Sequence, residues 1–296
     1  MMTDKKYQVV CFGEVLWDIL PAGKEPGGAP MNVAYHLNRH GIATTLITCI
    51  GNDEDGAQIK KLFDERNIST DFFEVDPVNE TGKVYAKVLP GNEMSYDIAY
   101  PSAWDFIRYE KKLADLVQQA GYFVYGSLAA RSETSRNTLL KLLETPAIKV
   151  FDINLRPPHY TREVLAQLLE RADILKMNEH ELEEIGSWYP LQENRESLIR
   201  YIANQLNIRT IIVTMGGAGA MLFNNDRFFY HEGYKVKVAD TIGSGDAFLA
   251  AMLAGFISKK KDAAALDDAC RLGAFVATQK GGCPVYDIDT LQLPQQ

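Results

Sequence analysis

The chain has 296 residues, with 31 Lys plus Arg against 39 Asp plus Glu, for a formal net charge of −8. At 46% hydrophobic and 24% charged it has a globular composition that excludes a disordered chain and can bury a core without disulfide or metal staples. The acidic balance excludes general attraction to nucleic acid or anionic lipid, so no nucleic-acid and no membrane partner is expected, and an anionic substrate would have to be met by local donors.

The opening MMTDKKYQVV lacks the apolar core of a secretory signal. No window holds the run of about 18 uncharged apolar residues that a membrane span needs. Cys11, Cys49, Cys270 and Cys283 form no C-x-x-C pair and read as reduced thiols, most of them in apolar stretches. A cytoplasmic location is expected.

Tyr7–Phe12 reads as a first strand, nearly all apolar as in a parallel sheet covered on both faces. A helix follows over Pro30–His40, opened by proline and stopped at Gly41. Strand Thr44–Ile50 and helix Ala57–Arg66 continue the alternation. From Glu74 to Asp97 the rhythm breaks. GKVYAKVL, the turn Pro90-Gly91-Asn92 and EMSYDIAY spell a hairpin, expected to form a small sheet with Glu14–Leu20. The alternation resumes with helix Tyr109–Gln119, strand Tyr122–Tyr125, helix Glu133–Leu143, strand Lys149–Ile153, helix Arg162–Arg171, strand Ile174–Met177, helix Glu193–Leu206 and strand Thr210–Thr214. Ala220–Val238, with turn signals at Asn224-Asn225-Asp226 and Gly233, reads as an antiparallel edge. The expected fold is one α/β domain spanning residues 1–296, a mostly parallel sheet flanked by helices, with a β flap from about 14–20 and 74–100.

Asp240-Thr241-Ile242-Gly243-Ser244-Gly245-Asp246 runs directly into AFLAAMLAGFIS, a strong apolar helix former. Its glycines allow successive N–H groups to converge on one point, and the helix N-terminus adds partial positive charge there. Such a site holds a phosphoryl group or a developing anion. Asp246 at its mouth could accept a hydroxyl proton while the amides hold the transferring group. The dipole should keep this carboxylate ionised and therefore a weak base, which a loose phosphoryl transfer tolerates. The competing explanation is that Ser244 and Asp246 only cap a helix. Other nucleotide motifs fail: Gly23-Lys24 and Gly82-Lys83 are followed by Glu25 and Val84, and no G-x-G-x-x-G follows the first strand.

These residues carry a resemblance. Gly27-Gly28-Ala29-Pro30-Met31-Asn32-Val33-Ala34, continuing through Ile50-Gly51-Asn52-Asp53-Glu54-Asp55-Gly56, together with Asp240–Asp246, resembles the two signatures of the ribokinase-like (PfkB) carbohydrate kinase family, almost from end to end. GGAPMNVA and Asp152-Ile153-Asn154-Leu155-Arg156-Pro157 are most similar to fructokinases.

The resemblance implies a ribokinase-like fold with a small β-sheet lid over the sugar, and ATP and Mg2+ as cofactors. It makes Asp246 the catalytic base, Gly243, Ser244 and Gly245 the anion hole, and Asp18, Gly28 and Asn32 the sugar-binding set. Arg156 would bridge the sugar's reacting end and the γ-phosphate, as a forked cation can. Asn178 and Glu181 match an N-x-x-E element linked to magnesium and phosphate. Thr214, Gly216, Gly217 and Gly219 resemble a nucleotide-side glycine loop, for which a turn between edge strands is the alternative. Ala274, Thr278 and Gly281 match positions near the adenine and behind the phosphates. A monovalent cation (K+) would take oxygens from Asp240, Ile242, Ala277 and Gly282. Cys270 departs from the pattern, standing where the family often has a polar residue near adenine. Tyr85, Tyr96 and Tyr100 of the flap could stack on a sugar or pack by cross-strand pairing, and packing is expected for two of the three. Exposed lid edges of such kinases pair, so a homodimer through the lid is expected.

Phosphorylation of fructose is the leading reading. Ribose, 2-keto-3-deoxygluconate and nucleosides are alternative acceptors, and a non-catalytic sugar sensor or an oxidoreductase are readings of other classes.

Overall fold

The computed structural model describes residues 7–20, 23–88, 94–291 and 293. In chain order they form β1 (Val9–Phe12), β2 (Leu16–Leu20), β3 (Gly23–Gly27), α1 (Ala29–Arg39), β4 (Thr44–Gly51), α2 (Glu54–Glu65), β5 (Phe73–Asp76), β6 (Gly82–Val88), β7 (Met94–Ile98), α3 (Lys111–Gln119), β8 (Tyr122–Gly126), α4 (Glu133–Leu142), β9 (Ile148–Asp152) and α5 (Arg162–Leu169). β10 (Ile174–Asn178), α6 (Glu179–Gly186), α7 (Arg195–Leu206), β11 (Thr210–Thr214), β12 (Ala220–Asn224), β13 (Arg227–His231), α8 (Ser244–Ile257) and α9 (Asp262–Ala277) complete them.

A large sheet runs in the order β13-β12-β11-β10-β9-β8-β1-β4-β5. Its neighbouring strands are parallel except in the pairs β11–β12 and β12–β13, the antiparallel edge expected from Asn224-Asn225-Asp226. Parallel strands need helical crossovers, and these cover both faces. On one face α1, α2, α8 and α9 pack on Val9, Cys11, Val124, Val150, Ile174 and Ile212. On the other, α3 to α7 pack on Val10, Phe12, Phe123, Phe151, Leu175 and Val213. Chain order reverses beside β1, with β4 on one side and β8 on the other. That switch point opens a crevice at the strands' carboxyl ends, where such sheets bind ligands.

The four-stranded sheet β3-β2-β6-β7 stands apart, with β2 and β6 parallel and both outer pairs antiparallel. Two expectations need correction here. Glu74 belongs to β5, an edge of the large sheet paired with β4, so the small sheet does not begin at 74. β3 was not foreseen, because Gly-Lys-Glu-Pro-Gly has no strand former; as an edge strand it tolerates a proline that donates no ladder bond. The turn at Pro90-Gly91-Asn92 lies outside the described residues. All four cysteines are buried and free. Among the described residues no helix is long and apolar enough to cross a membrane.

The small sheet is fastened at its root by one buried ion pair. Arg131, after β8, donates through Nε and Nη2 to the two oxygens of Asp105 at 2.8 and 2.7 Å, and to the Ala99 carbonyl at 2.7 Å. Its guanidinium also covers the Trp104 ring at 3.9 Å. Asp105 is fully buried and Arg131 nearly so. Arg131→Met should therefore leave an uncompensated buried charge and cost about 3–5 kcal/mol, read as a lower urea midpoint with an unchanged slope.

Candidate active site

The N-terminus of α8 meets the crevice beside β1. Gly243 caps it at φ 73°, in the left-handed region, and packs so closely on Gly282 that no side chain would fit. Asp246 in the first turn is buried, and its Oδ2 accepts a 2.8 Å hydrogen bond from Asn32 Nδ2 on α1. A carboxylate only accepts, so the Asn32 amide nitrogen must face it. That leaves Asn32 Oδ1 to the buried Cys283 thiol at 3.2 Å. Asn32 is thus a partner of the acid.

The glycine turn is only partly as expected. The Ser244 amide points back to Thr241 O at 3.3 Å, and its hydroxyl donates to Gly273 O on α9 at 2.9 Å. Ser244 therefore ties the turn down. Among the described residues the Gly243, Gly245 and Asp246 amides have no protein acceptor, so the free donors of the turn are those three, two of them on glycines.

Asp246 also differs from the weak base expected of a helix-start carboxylate. Burial pushes its pKa up, against the lowering influence of Lys176, Asn32 and Arg156 in that order. Desolvation outweighs the dipole.

On the sugar side, Asp18 sits on β2 opposite Glu25 and Val84. Its pKa is pushed up to about 6, first by burial and then by the carboxylate of Asp240. Gly28, at φ 113°, caps α1 and lies directly on the Glu14 carbonyl, where a side chain would clash. Arg156 is exposed, its Nη1 on the Leu155 carbonyl at 2.9 Å, and its charge reaches Asp18 and Asp246. In the flap, Tyr85 registers with Asp97 and Tyr96 with Ala86. Side chains alternate faces along a strand, so the tyrosines lie on opposite faces and the expected cross-strand packing does not occur. All three are exposed, Tyr100 lying beneath Arg131.

The nucleotide-side residues mostly turn out to have local structural work. Asn178 and Glu181 form a reciprocal capping box at 2.9 and 2.8 Å, and Glu181 also accepts the Leu155 amide at 2.8 Å. Both Glu181 oxygens are thereby occupied by amides. Thr214 ends β11, and Gly216, Gly217 and Gly219 form the turn into β12, the competing explanation, with Gly219 packed against the His231 carbonyl. Gly216 and Gly217 themselves border open space. Ala274 is half-buried on α9, Thr278 caps it, and Gly281 donates to Asp240 Oδ2 at 3.2 Å.

The monovalent-cation tetrad does not assemble as expected. Ala277 O already accepts the Ala239 and Asp240 amides at 2.8 and 3.3 Å, and the Gly282 carbonyl is engaged by His36 Nε2 at 2.9 Å. Asp240 braces the turn through the amides of Ile242 and Gly281. With both lone pairs of Ala277 O used, it does not fit as a ligand. Among the described residues no group of three His, Cys, Asp or Glu side chains could hold a metal.

Sequence reasoning missed Glu14 and Lys176. Glu14 is buried after β1, one oxygen accepting the Ala29 amide at 3.2 Å and the other without a partner, and burial pushes its pKa up to about 7. Lys176 is buried inside an apolar strand, its ammonium on both oxygens of Asp152. An acid after the first strand and a lysine interrupting Ile-Leu-x-Met were the available signals.

A parallel α/β sheet, a separate small β-sheet and a glycine turn feeding a buried helix beside an acid define a ribokinase-like kinase fold. Residues 7–288 match the model of the pfkB family of carbohydrate kinases, and the chain belongs to that family. Fructokinase-1 of Oryza sativa subsp. japonica is 27% identical over 99% of this chain and 99% of its own length. A solved Pyrococcus horikoshii sugar kinase in complex with ATP is 26% identical, with a TM-score of 0.78 over 96% of each chain. The fructokinase of Xylella fastidiosa with bound ATP, 24% identical, gives a TM-score of 0.82 over 94% of each.

Because Glu14 binds its proton more tightly folded than unfolded, its contribution to stability falls as pH rises from about 4.5 to about 7. Glu14→Gln should remove that loss. The variant should resist urea better than the parent at pH 8, by at most roughly 3 kcal/mol, and the gap should close near pH 4.5.

Proposed function

We propose that this chain transfers the γ-phosphoryl group of ATP to a hydroxyl of a small sugar, fructose first among the acceptors. The observation that carries the reading is the buried Asp246, held by Asn32 beside two unpartnered glycine amides. In this reading the sugar lies between the Asp18 face of the small sheet and α1, with Gly28 and Asn32 against it. Asp246 takes the hydroxyl proton as the oxygen attacks the γ-phosphorus, and its raised pKa makes it a better acceptor than a solvated aspartate. The Gly243 and Gly245 amides, with the α8 dipole, meet the charge on the transferring group. Arg156, on a loop tethered through Leu155 to Glu181, reaches the phosphoryl oxygens from the other side. The chain acts as one kinase domain with the small sheet as its lid, excluding water as a rival acceptor. By register Tyr96 shares the Asp18 face and Tyr85 does not, so Tyr96 is the tyrosine that stacks on sugar.

Magnesium, which the family implies, would enter with the nucleotide on the side of Asn178 and Glu181 and would supply positive charge to offset that of the phosphates. Each Glu181 oxygen accepts one amide and keeps a second lone pair, and no step is assigned through the metal. Thr214, Gly216 and Gly217 border the nucleotide side, where open space above both glycines leaves room for a phosphate or ribose. Fructose is favoured because a relative matched over 99% of its own length is a fructokinase.

A panel of fructose, ribose, 2-keto-3-deoxygluconate and nucleosides with ATP, scored by kcat/KM, tests the reading. Fructose should lead, and Asp246→Asn should lower kcat by a factor of about 100 or more while nucleotide binding survives. No ADP release with any acceptor, or full turnover by that variant, would overturn it.

A further inference from the structure

Lys176 is a lysine where the fold asks for none. It occupies the middle of β10, in register with Asp152 on β9 and Ile212 on β11. Alternation places it with Ile174 on the face covered by α1 and α8, while Leu175 and Met177 face the other layer. It is 6% exposed. Its Nζ donates to Asp152 Oδ1 at 2.9 Å and Oδ2 at 2.8 Å, and no further hydrogen bond to it occurs among the described residues. An ammonium carries three donors, so one is left over. Gly245 shows where this ammonium lies: a Cβ built on that residue would come 3.1 Å from Nζ. The cation therefore sits directly against the first turn of α8, one residue from Asp246. A buried ion pair in a strand interior is a poor source of stability, and apolar residues of like volume commonly do better. Something other than packing must account for it.

We propose that Lys176 is the resident counter-ion of Asp246, a positioning residue that keeps the base ionised behind the Gly243–Gly245 turn, while Asp152 draws off part of its charge. The inference deepens the kinase reading and rests on it for the role of Asp246. Burial alone would lower the Lys176 pKa, but the carboxylates of Asp152, Asp246 and Glu181 raise it, so it stays a cation. The charged groups facing Asp246 are Lys176 from β10, Arg156 and Asp152 from β9 and its loop, Glu14 after β1, and the more distant Asp18 of β2. Cys283 lies on the C-terminal side, its pKa pushed up to about 12 by burial, and so faces Asp246 as a neutral thiol. On α1, His36 is pushed down to about 4 by burial and is neutral. Arg156 is exposed and screened by water, which leaves Lys176 as the cation that counts.

The test is the titration of the Asp246 carboxyl by 13C NMR, assigned by its disappearance in Asp246→Asn, alongside the acid limb of kcat/KM. Lys176→Met should move the midpoint up by about one pH unit or more. Asp152→Asn should move it down, and Lys176→Arg should leave it near the parental value. A packing role for Lys176 would not produce shifts of opposite sign. If Lys176→Met does not fold, the direction seen in Asp152→Asn decides. Midpoints unmoved, or moved the same way, would overturn the proposal. The NMR titration needs no turnover, so a chain that phosphorylates no sugar would sink the kinase reading while the counter-ion is still judged on its own midpoints.

Discussion

Burying an acid at the start of α8 is the constraint around which the rest of the site is arranged. A desolvated carboxylate is costly unless charge or donors compensate it. Here the hydrogen-bond donor among the described residues is Asn32 from α1, and the nearest buried cation is Lys176. Each comes from a different element. Asn32 is set by α1, which starts at Gly28 against the Glu14 carbonyl. Lys176 is set by the register of β10 with β9. Asp246 therefore has both its donor and its neighbouring cation only when the helix layer and the sheet centre are both in place.

The same electrostatics explains why so many acids gather beside the β1 switch point without a matching number of buried cations. Glu14 and Asp18 both have raised pKa values, with burial the leading cause. Such groups take up protons at a higher pH than free carboxylates do, and once protonated they donate as well as accept. Fully ionised, they would repel Asp246 and any phosphate brought to it.

Legibility in the sequence followed periodicity and chemistry closely. Thr210–Thr214 was read to the residue, and β4, β8, β9 and β10 to within a residue at each end, because fully buried parallel strands are unbroken apolar runs. The glycine turn and Asp246 were legible because Gly243-Ser244-Gly245-Asp246 runs straight into an unbroken apolar helix and stands with a second family signature at Gly27–Ala34. β3 was illegible because an edge strand can be built from Gly, Lys, Glu and Pro. Asn178 and Glu181 were seen as a pair, yet one spacing serves a helix cap and a ligand set alike, and only the amides of Leu155 and Asn178 distinguish them. Lys176 stayed hidden because a lysine inside a strand pattern reads as an exposed position, and the partner that lets it be buried, Asp152, lies in another strand.

The capping box at α6 gives the site a mechanical link as well as an electrostatic one. Glu181 closes the helix start at Asn178 with one oxygen and holds the Leu155 amide with the other. Leu155 is followed by Arg156, whose charge reaches Asp18 and Asp246 across the crevice. Two residues before Asn178, on the same strand, stands Lys176. One short stretch, from β10 into α6, thus carries the buried cation beside the first turn of α8 and holds the loop that carries an exposed cation. Strand register sets the backbone position of one and helix capping that of the other, while the Lys176 ammonium is held in place by Asp152. A phosphoryl group entering between them would meet charge already in place, which is where preorganised electrostatics lowers a barrier most.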